Sequence, residues 1–215
     1  MKLYVYDHCP FCVKARMIFG LKKHAFQLIT LANNDESTPI QLIGKKMLPI
    51  LQLDDGTSMG ESLDIIDFIE QLHGSRVLSP TRSVELAAWL NAVQGPLSNL
   101  IMPIVPNTQF AEFPDQAARD YFTHKKQAMI GDFNQLKVNR AKYVDQLNAR
   151  LQSLAQQITH SHSFNQDLSL DDIHLFPVLR NLTLVKEIIW PQPVAHLRDS
   201  LSKQSGVPLL FELAI

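Results

Sequence analysis

The stretch Lys2-Leu3-Tyr4-Val5-Tyr6-Asp7-His8-Cys9-Pro10-Phe11-Cys12-Val13 decides how the chain is read. Lys2 to Tyr6 alternates and is rich in Leu, Val and Tyr, the pattern of a strand. Asp7 to Phe11 makes a turn. From Cys12 to Leu21 the apolar positions Val13, Ala15, Met17, Ile18 and Leu21 recur at helical spacing. Pro10 suits a first helical turn, whose N–H groups have no intrahelical acceptor. A Cys-x-x-Cys pair therefore straddles a strand-to-helix turn. The thiolate is the reactive form of cysteine, and the free N–H groups and dipole of a helix start favour it. Cys9 takes that place, with Cys12 one turn further in and less accessible. Cys9 is the expected nucleophile and Cys12 the resolving thiol.

These two cysteines are the only ones among 215 residues. A structural zinc site needs four ligands, and although His8 adjoins Cys9, no second Cys or His cluster lies near it in sequence. No metal is expected, and redox chemistry outweighs a pair of inert buried thiols. The net charge is -1 and the basic residues are scattered singly or in pairs such as Lys45-Lys46 and Lys125-Lys126, which read as solvated surface, so no basic field is available for nucleic acid. No apolar run is long enough for a membrane span, and the N-terminal residues lack the pattern of a secretory signal. The expected compartment is the cytoplasm, where cysteine pairs tend to be redox or metal sites.

Outward from the dithiol, Phe26 to Leu31 reads as a second strand and Pro39 to Ile43 as a short helix. Pro49 to Leu53 is a third strand, Asp54-Asp55-Gly56-Thr57 a hairpin turn, and Ser58-Met59 a short fourth strand. Glu61 to Leu72 is an amphipathic helix with Leu63, Ile65, Ile66, Phe68, Ile69 and Leu72 inward. The order is βαβαββα over residues 1–72. Residues 73–82, with Gly74, Ser75, Ser79 and Pro80, read as a linker. Beyond it, 83–215 is an all-helical domain, with helices over Ser83–Ile101, Asp115–Ile130, Asn139–Ile158, Leu170–Val185 and Val194–Lys203. Ser169 and Asp172 form a capping pattern, Leu168 and Ile173 are placed as its hydrophobic staple, and Pro177 predicts a kink. The halves are expected to share a large apolar interface with the Ser169-capped helix near its centre, Trp89 and Phe176 being mainly core residues of the helical half.

Two features support the dithiol. Pro49 opens the third strand after Leu48. In a thioredoxin-like fold a cis proline there faces the reactive cysteine and leaves the Leu48 backbone free to pair with an extended peptide. Glu61-Ser62 opens a helix, whose N–H groups bind carboxylates. Glu61 can meet an ammonium group and Ser62 a carboxylate, which together read the amino-acid end of glutathione's γ-glutamyl unit. A plain helix cap is an equally good account of this pair.

Together these sites resemble the glutaredoxins. Cys9-Pro10-Phe11-Cys12 is similar to their Cys-Pro-Tyr-Cys, with Phe11 in place of Tyr, and Leu48-Pro49 is similar to their Val-Pro. Glu61-Ser62 is similar to the Glu-Ser pair of glutathione transferases. Residues 1–22 and Asp171 to Val185 resemble the bacterial glutaredoxin 2 family, the large glutaredoxins built like a glutathione transferase. That resemblance runs the length of the chain. It implies a thioredoxin-like domain docked on an all-helical, glutathione-transferase-like domain. The implied activity is glutathione-dependent reduction of protein disulfides and glutathione mixed disulfides. Glutathione is the implied cosubstrate, with no tightly bound cofactor, and the partners are disulfide-containing or glutathionylated proteins. The implied glutathione contacts are Cys9, Pro10, Phe11, Leu48, Pro49, Glu61 and Ser62. A monomer is expected, because the docked helical domain would shield the surface that transferases use to dimerise. No motif selects among Arg16, Lys22, Lys23 and Lys45 for the glycyl carboxylate. The rival readings are a conjugating glutathione transferase, for which Cys12 would have no use, and a non-catalytic module that binds glutathione or holds a cluster.

Overall fold

β1 (Lys2–Val5) is the strand around which the first half forms. Leu3 and Val5 have no exposure and Tyr4 very little, so this strand is covered on both faces. The computed structural model describes residues 1–72 and 74–215. β1 runs parallel to β2 (Gln27–Thr30) and antiparallel to β3 (Ile50–Gln52), and β3 pairs antiparallel with β4 (Ser58–Met59). The sheet order is β2-β1-β3-β4. A parallel β1–β2 pair needs a crossover, which α1 (Pro10–Leu21) supplies. The β3–β4 hairpin closes at Gly56, whose φ of 89° lies where a side chain would be strained.

α2 (Ser37–Ile43) begins before the expected Pro39, because the Asp35 carboxylate accepts the Thr38 N–H at 3.0 Å and the Ser37 hydroxyl at 2.9 Å. In α3 (Ser62–Leu72) the inner stripe is Ser62, Ile65, Ile66 and Ile69, one face of a helix. Leu63 lies one step, about 100°, off that stripe and is exposed, so its expected inward role is wrong. The βαβαββα order itself stands.

The second half is helical as expected: α4 (Val84–Ile101), α5 (Gln116–Ile130), α6 (Phe133–Val138), α7 (Arg140–Ala155), α8 (Leu170–Leu182) and α9 (Gln192–Ser205). α6 was not expected. α7 ends before Ile158, and α8 ends before Val185 after running through Pro177. The Ser169–Asp172 capping box is present. Trp89 on α4 donates its indole N–H to the Arg150 carbonyl on α7 at 2.8 Å. Among the described residues, no helix is long and apolar enough to cross a membrane.

One apolar core runs through both halves. α1 packs against α3 on one side and against α8 and α9 on the other. Gly20 permits that second contact, since a Cβ there would lie 1.7 Å from the Ser205 carbonyl oxygen. The expected linker begins at His73, which lies outside the described residues. The rest of it is pinned at both ends. Buried Glu70 accepts the Val77 and Leu78 N–H groups at 3.1 and 2.8 Å. The Ser79 N–H donates to the Leu168 carbonyl at 2.7 Å, and the Ser83 N–H to Asp171 at 2.6 Å, so the segment ends on the cap of α8.

Candidate active site

Cys9 is the N-cap residue of α1, in extended conformation (φ -73°, ψ 121°), with Pro10 in the first turn. Its side chain is partly exposed, whereas Cys12, one turn on, is fully buried. The Cys12 Sγ accepts the Tyr6 N–H at 3.4 Å. The hydrogen bond from the Cys12 thiol lowers the Cys9 pKa from 9.0 to about 6. Burial pushes the other way, while the His8 ring and the N–H groups of Cys12 and Phe11 add to the lowering. Burial, and the presence of Cys9, push Cys12 well above the ordinary thiol range. One thiolate and one protonated donor is thus the preferred state of the reduced pair.

Cys9 opens on a cleft of about 410 Å³ between the two halves. Its walls include Tyr6, His8, Asn33, Lys46, Met47 and Leu48 from the first half. Tyr121, Phe122, Lys125, Lys126 and Met129 close it from α5. The Leu48–Pro49 peptide bond is cis, as expected, and both residues are buried, Leu48 within the cleft wall. Met47 also lines a neighbouring hollow with Lys45, Ser58, Met59, Gly60 and Glu61. Met47 is thus shared by the hollow that Glu61 lines and the cleft that Cys9 lines. The φ of Glu61 is 62°, a left-handed conformation that costs a non-glycine residue energy. Its carboxylate meets Lys45 Nζ at 3.2 Å, both side chains being exposed. Ser62 is buried at the start of α3. Phe11 stands 54% exposed on α1, outside the cleft lining, with Lys14 Nζ 5.1 Å from its ring centre.

Three of the four cations considered for a glycyl carboxylate are already engaged, Lys45 by Glu61 as above. Lys22 Nζ donates to the Glu70 and Ser75 carbonyls and sits 3.7 Å from the Glu70 carboxylate. Arg16 is buried against Asp7. The cations that do line the cleft, Lys46, Lys125 and Lys126, come from positions that sequence alone reads as solvated surface.

The loop before Cys9 is held by the helical half. Arg180 on α8 is fully buried and donates to the Asp7 carbonyl at 2.7 Å, the Asp7 carboxylate at 2.8 Å and the Pro208 carbonyl at 2.8 Å. Burial lowers its pKa to about 10, against the pull of Asp7. Burial pushes Asp7 up, but Arg180 and Arg16 together hold it below the usual carboxylate range. Asn181 donates to the His8 carbonyl at 3.3 Å. Among the described residues, no group of three metal-ligating side chains is assembled.

The chain matches two family models: "Glutathione S-transferase, N-terminal domain" over residues 3–77 and "Glutaredoxin 2, C terminal domain" over residues 85–214. It is 44% identical to glutaredoxin 2 of Escherichia coli K12 over 215 residues, covering all of both chains. A crystal structure of glutaredoxin 2 from Salmonella typhimurium, in complex with glutathione, superposes with a TM-score of 0.97 at 46% identity. It covers 100% of this chain and 98% of that one. A glutathione transferase Omega 3C from Trametes versicolor superposes with a TM-score of 0.59 at 15% identity, over 97% of this chain and 84% of that one, a likeness of fold alone.

Proposed function

The chain belongs to the glutaredoxin 2 family, and we propose that its glutathione-dependent redox chemistry is thiol–disulfide exchange begun by Cys9 and resolved by Cys12. The observation that carries this is the asymmetry of the pair: a low-pKa thiol at a helix start facing an open cleft, and a high-pKa thiol buried behind it. The Cys9 thiolate attacks a disulfide sulfur, forming a mixed disulfide and releasing a thiolate that takes up a proton. With a protein mixed disulfide, Cys12 loses its proton and attacks Cys9 Sγ, which frees the substrate thiol and leaves Cys9–Cys12 oxidised. Glutathione thiolate then attacks Cys9, and a second glutathione removes the first as glutathione disulfide. Where the substrate is a glutathione mixed disulfide, Cys9 suffices, because a second glutathione replaces Cys12. Potentials of about -200 to -230 mV are usual for such couples, close to a glutathione pool.

Glutathione is the cosubstrate in this reading, with no tightly bound cofactor. Its cysteine lies against Cys9 and Leu48–Pro49, while Pro10 and the exposed Phe11, outside the cleft lining, would meet it only from the α1 side of Cys9. Its γ-glutamyl end crosses Met47 to reach Glu61 and Ser62, in keeping with the place of Met47 in both hollows. The protein partners are disulfide-containing or glutathionylated proteins, met by a monomer in the cytoplasm. Residues 1–72 form the glutaredoxin domain and 83–215 the helical domain, joined by 73–82. The test is turnover of a glutathione mixed disulfide coupled to glutathione reductase. Sustained turnover that vanishes in Cys9→Ser is expected. Turnover that survives Cys9→Ser would overturn the assignment.

A further inference from the structure

The mechanism above uses Cys9 and Cys12, yet the most completely buried carboxylate near them comes from the other half of the molecule. Glu112 lies in the loop before α5 with no solvent exposure. Its Oε1 accepts the His8 backbone N–H at 3.1 Å and lies 2.7 Å from His8 Nδ1, while its own carbonyl accepts the Asn33 N–H at 2.8 Å. Its Oε2 is buried with no hydrogen-bond partner among the described residues. A buried carboxylate with one oxygen orphaned is costly, and packing alone gives no reason for it.

The His8 ring is fixed by more than this bond. Tyr6 stacks near it, with centroids 6.0 Å apart, and Phe110, Phe113 and Phe122 from the helical half lie at 6.2, 6.0 and 5.2 Å. His8 nevertheless lines the cleft, is joined by one peptide bond to Cys9, and favours the Cys9 thiolate electrostatically.

We propose that Glu112 is a positioning residue for the dithiol: it holds the proton on His8 Nδ1 and the ring in the cleft wall, so that the helical half sets the field felt by the Cys9 sulfur. A carboxylate can only accept, so Nδ1 must be the donor, and Nε2 is left as the ring nitrogen without that bond. The other ionisable groups around this corner are Tyr6, Asp7 and Cys12 on the same segment. Arg16 and Lys14 on α1, Arg180 on α8, Tyr121, Lys125 and Lys126 on α5, and Glu36 and Lys46 across the cleft also face it. Arg16 and Arg180 are committed to Asp7. Among them, the His8–Glu112 contact is the one that couples the loop before α5 to the residue beside the nucleophile.

This inference rests on Cys9 being the nucleophile, and its test is separable from that reading. In the reduced full-length protein labelled with ¹⁵N-histidine, NMR should show His8 Nδ1 protonated wherever the protein is folded. A bare Nδ1 overturns the proposal, and this measurement needs no variant. In Glu112→Gln, an amide neither demands a proton at Nδ1 nor places negative charge beside the ring. The Cys9 titration, followed by thiolate absorbance, should move up by about one pH unit, and turnover should fall more at acid than at alkaline pH. The same substitution in a His8→Phe background should no longer raise the Cys9 titration, because only the direct repulsion between Glu112 and the thiolate is then removed. No shift in the first variant, or an equal shift in the second, shows that Glu112 does not act through His8. A native enzyme without turnover would instead sink the functional reading and leave the ring assignment standing.

Discussion

At the scale of single residues, the dithiol was legible because its parts are adjacent in sequence: a strand, a turn with Pro10, and a helix beginning under Cys9. Glu112 and Arg180 were not, since each reaches the active-site loop across more than a hundred residues. No periodicity or motif marks a charged side chain whose partner lies so far away. Lys46, Lys125 and Lys126 were read as solvated surface for the same reason. The depressed Cys9 pKa makes a prediction with a definite sign. A thiol whose folded pKa is about 6, below the 9.0 of a free one, adds stability at alkaline pH that is lost as pH falls through 6. Between these values the reduced protein should become more resistant to urea as pH rises, and Cys9→Ser should flatten that slope. Alkylation should label Cys9 with a midpoint near 6 and leave buried Cys12 unreacted. Faster labelling of Cys12 would reverse their roles. Cys12→Ser should retain turnover of glutathione mixed disulfides and lose reduction of protein disulfides that need both thiols. Glu61 supports a further prediction. If its left-handed φ of 62° is kept for glutathione, Glu61→Gly should raise stability by roughly 1 kcal/mol and raise the KM for glutathione. Greater stability with unchanged glutathione kinetics would leave Glu61 only the role of a cap.

At the scale of elements, helices with a long apolar stripe and a clear cap were legible. α8 was the best specified, through Ser169 and Asp172. α6 was missed because its six residues complete too few turns to show a period, although Asp132 caps it through the Asn134 N–H. The error at Leu63 has another cause: several apolar residues on α3 fit a stripe, and only the neighbours it packs against choose the phase. The packing of α1 on α9 was equally hidden, because a glycine inside a helix reads as a weakness until its neighbour is known. The absence of a Cβ at Gly20 is what lets the Ser205 carbonyl approach. Gly20→Ala should therefore destabilise the protein by on the order of 3 kcal/mol in urea unfolding, since backbone must move to make room. Helix propensity alone predicts a gain of about 1 kcal/mol. A more stable variant would mean that α1 and α9 separate at little cost.

At the scale of the whole molecule, the helical half completes the first half. α1 has one face on α3 and the other on α8 and α9, and its Met17, Ile18 and Phe19 have no exposure. The segment between the halves is held by Glu70 and by the cap of α8, so it acts as a strap. A chain ended at Arg82 would lose α8 and α9 and expose the apolar surface of α1 that they cover. It would also lose Arg180 and Asn181 from the Asp7–His8 loop and Glu112 from His8. Chains of about 80 residues rarely draw more than 3–5 kcal/mol from one core, and this one would be missing a wall. The fragment should be poorly soluble, or unfold at a much lower urea concentration than the full chain. Its Cys9 should titrate closer to an ordinary thiol, because the groups that order the active-site loop are gone. The full chain should unfold in one transition, with tryptophan fluorescence, which reports Trp89 and Trp190 in the helical half, and Cys12 accessibility, which reports the other half, changing together. If the fragment folds cooperatively and turns over at the full-length rate, the helical half is an appendage, and its purpose lies with a separate partner.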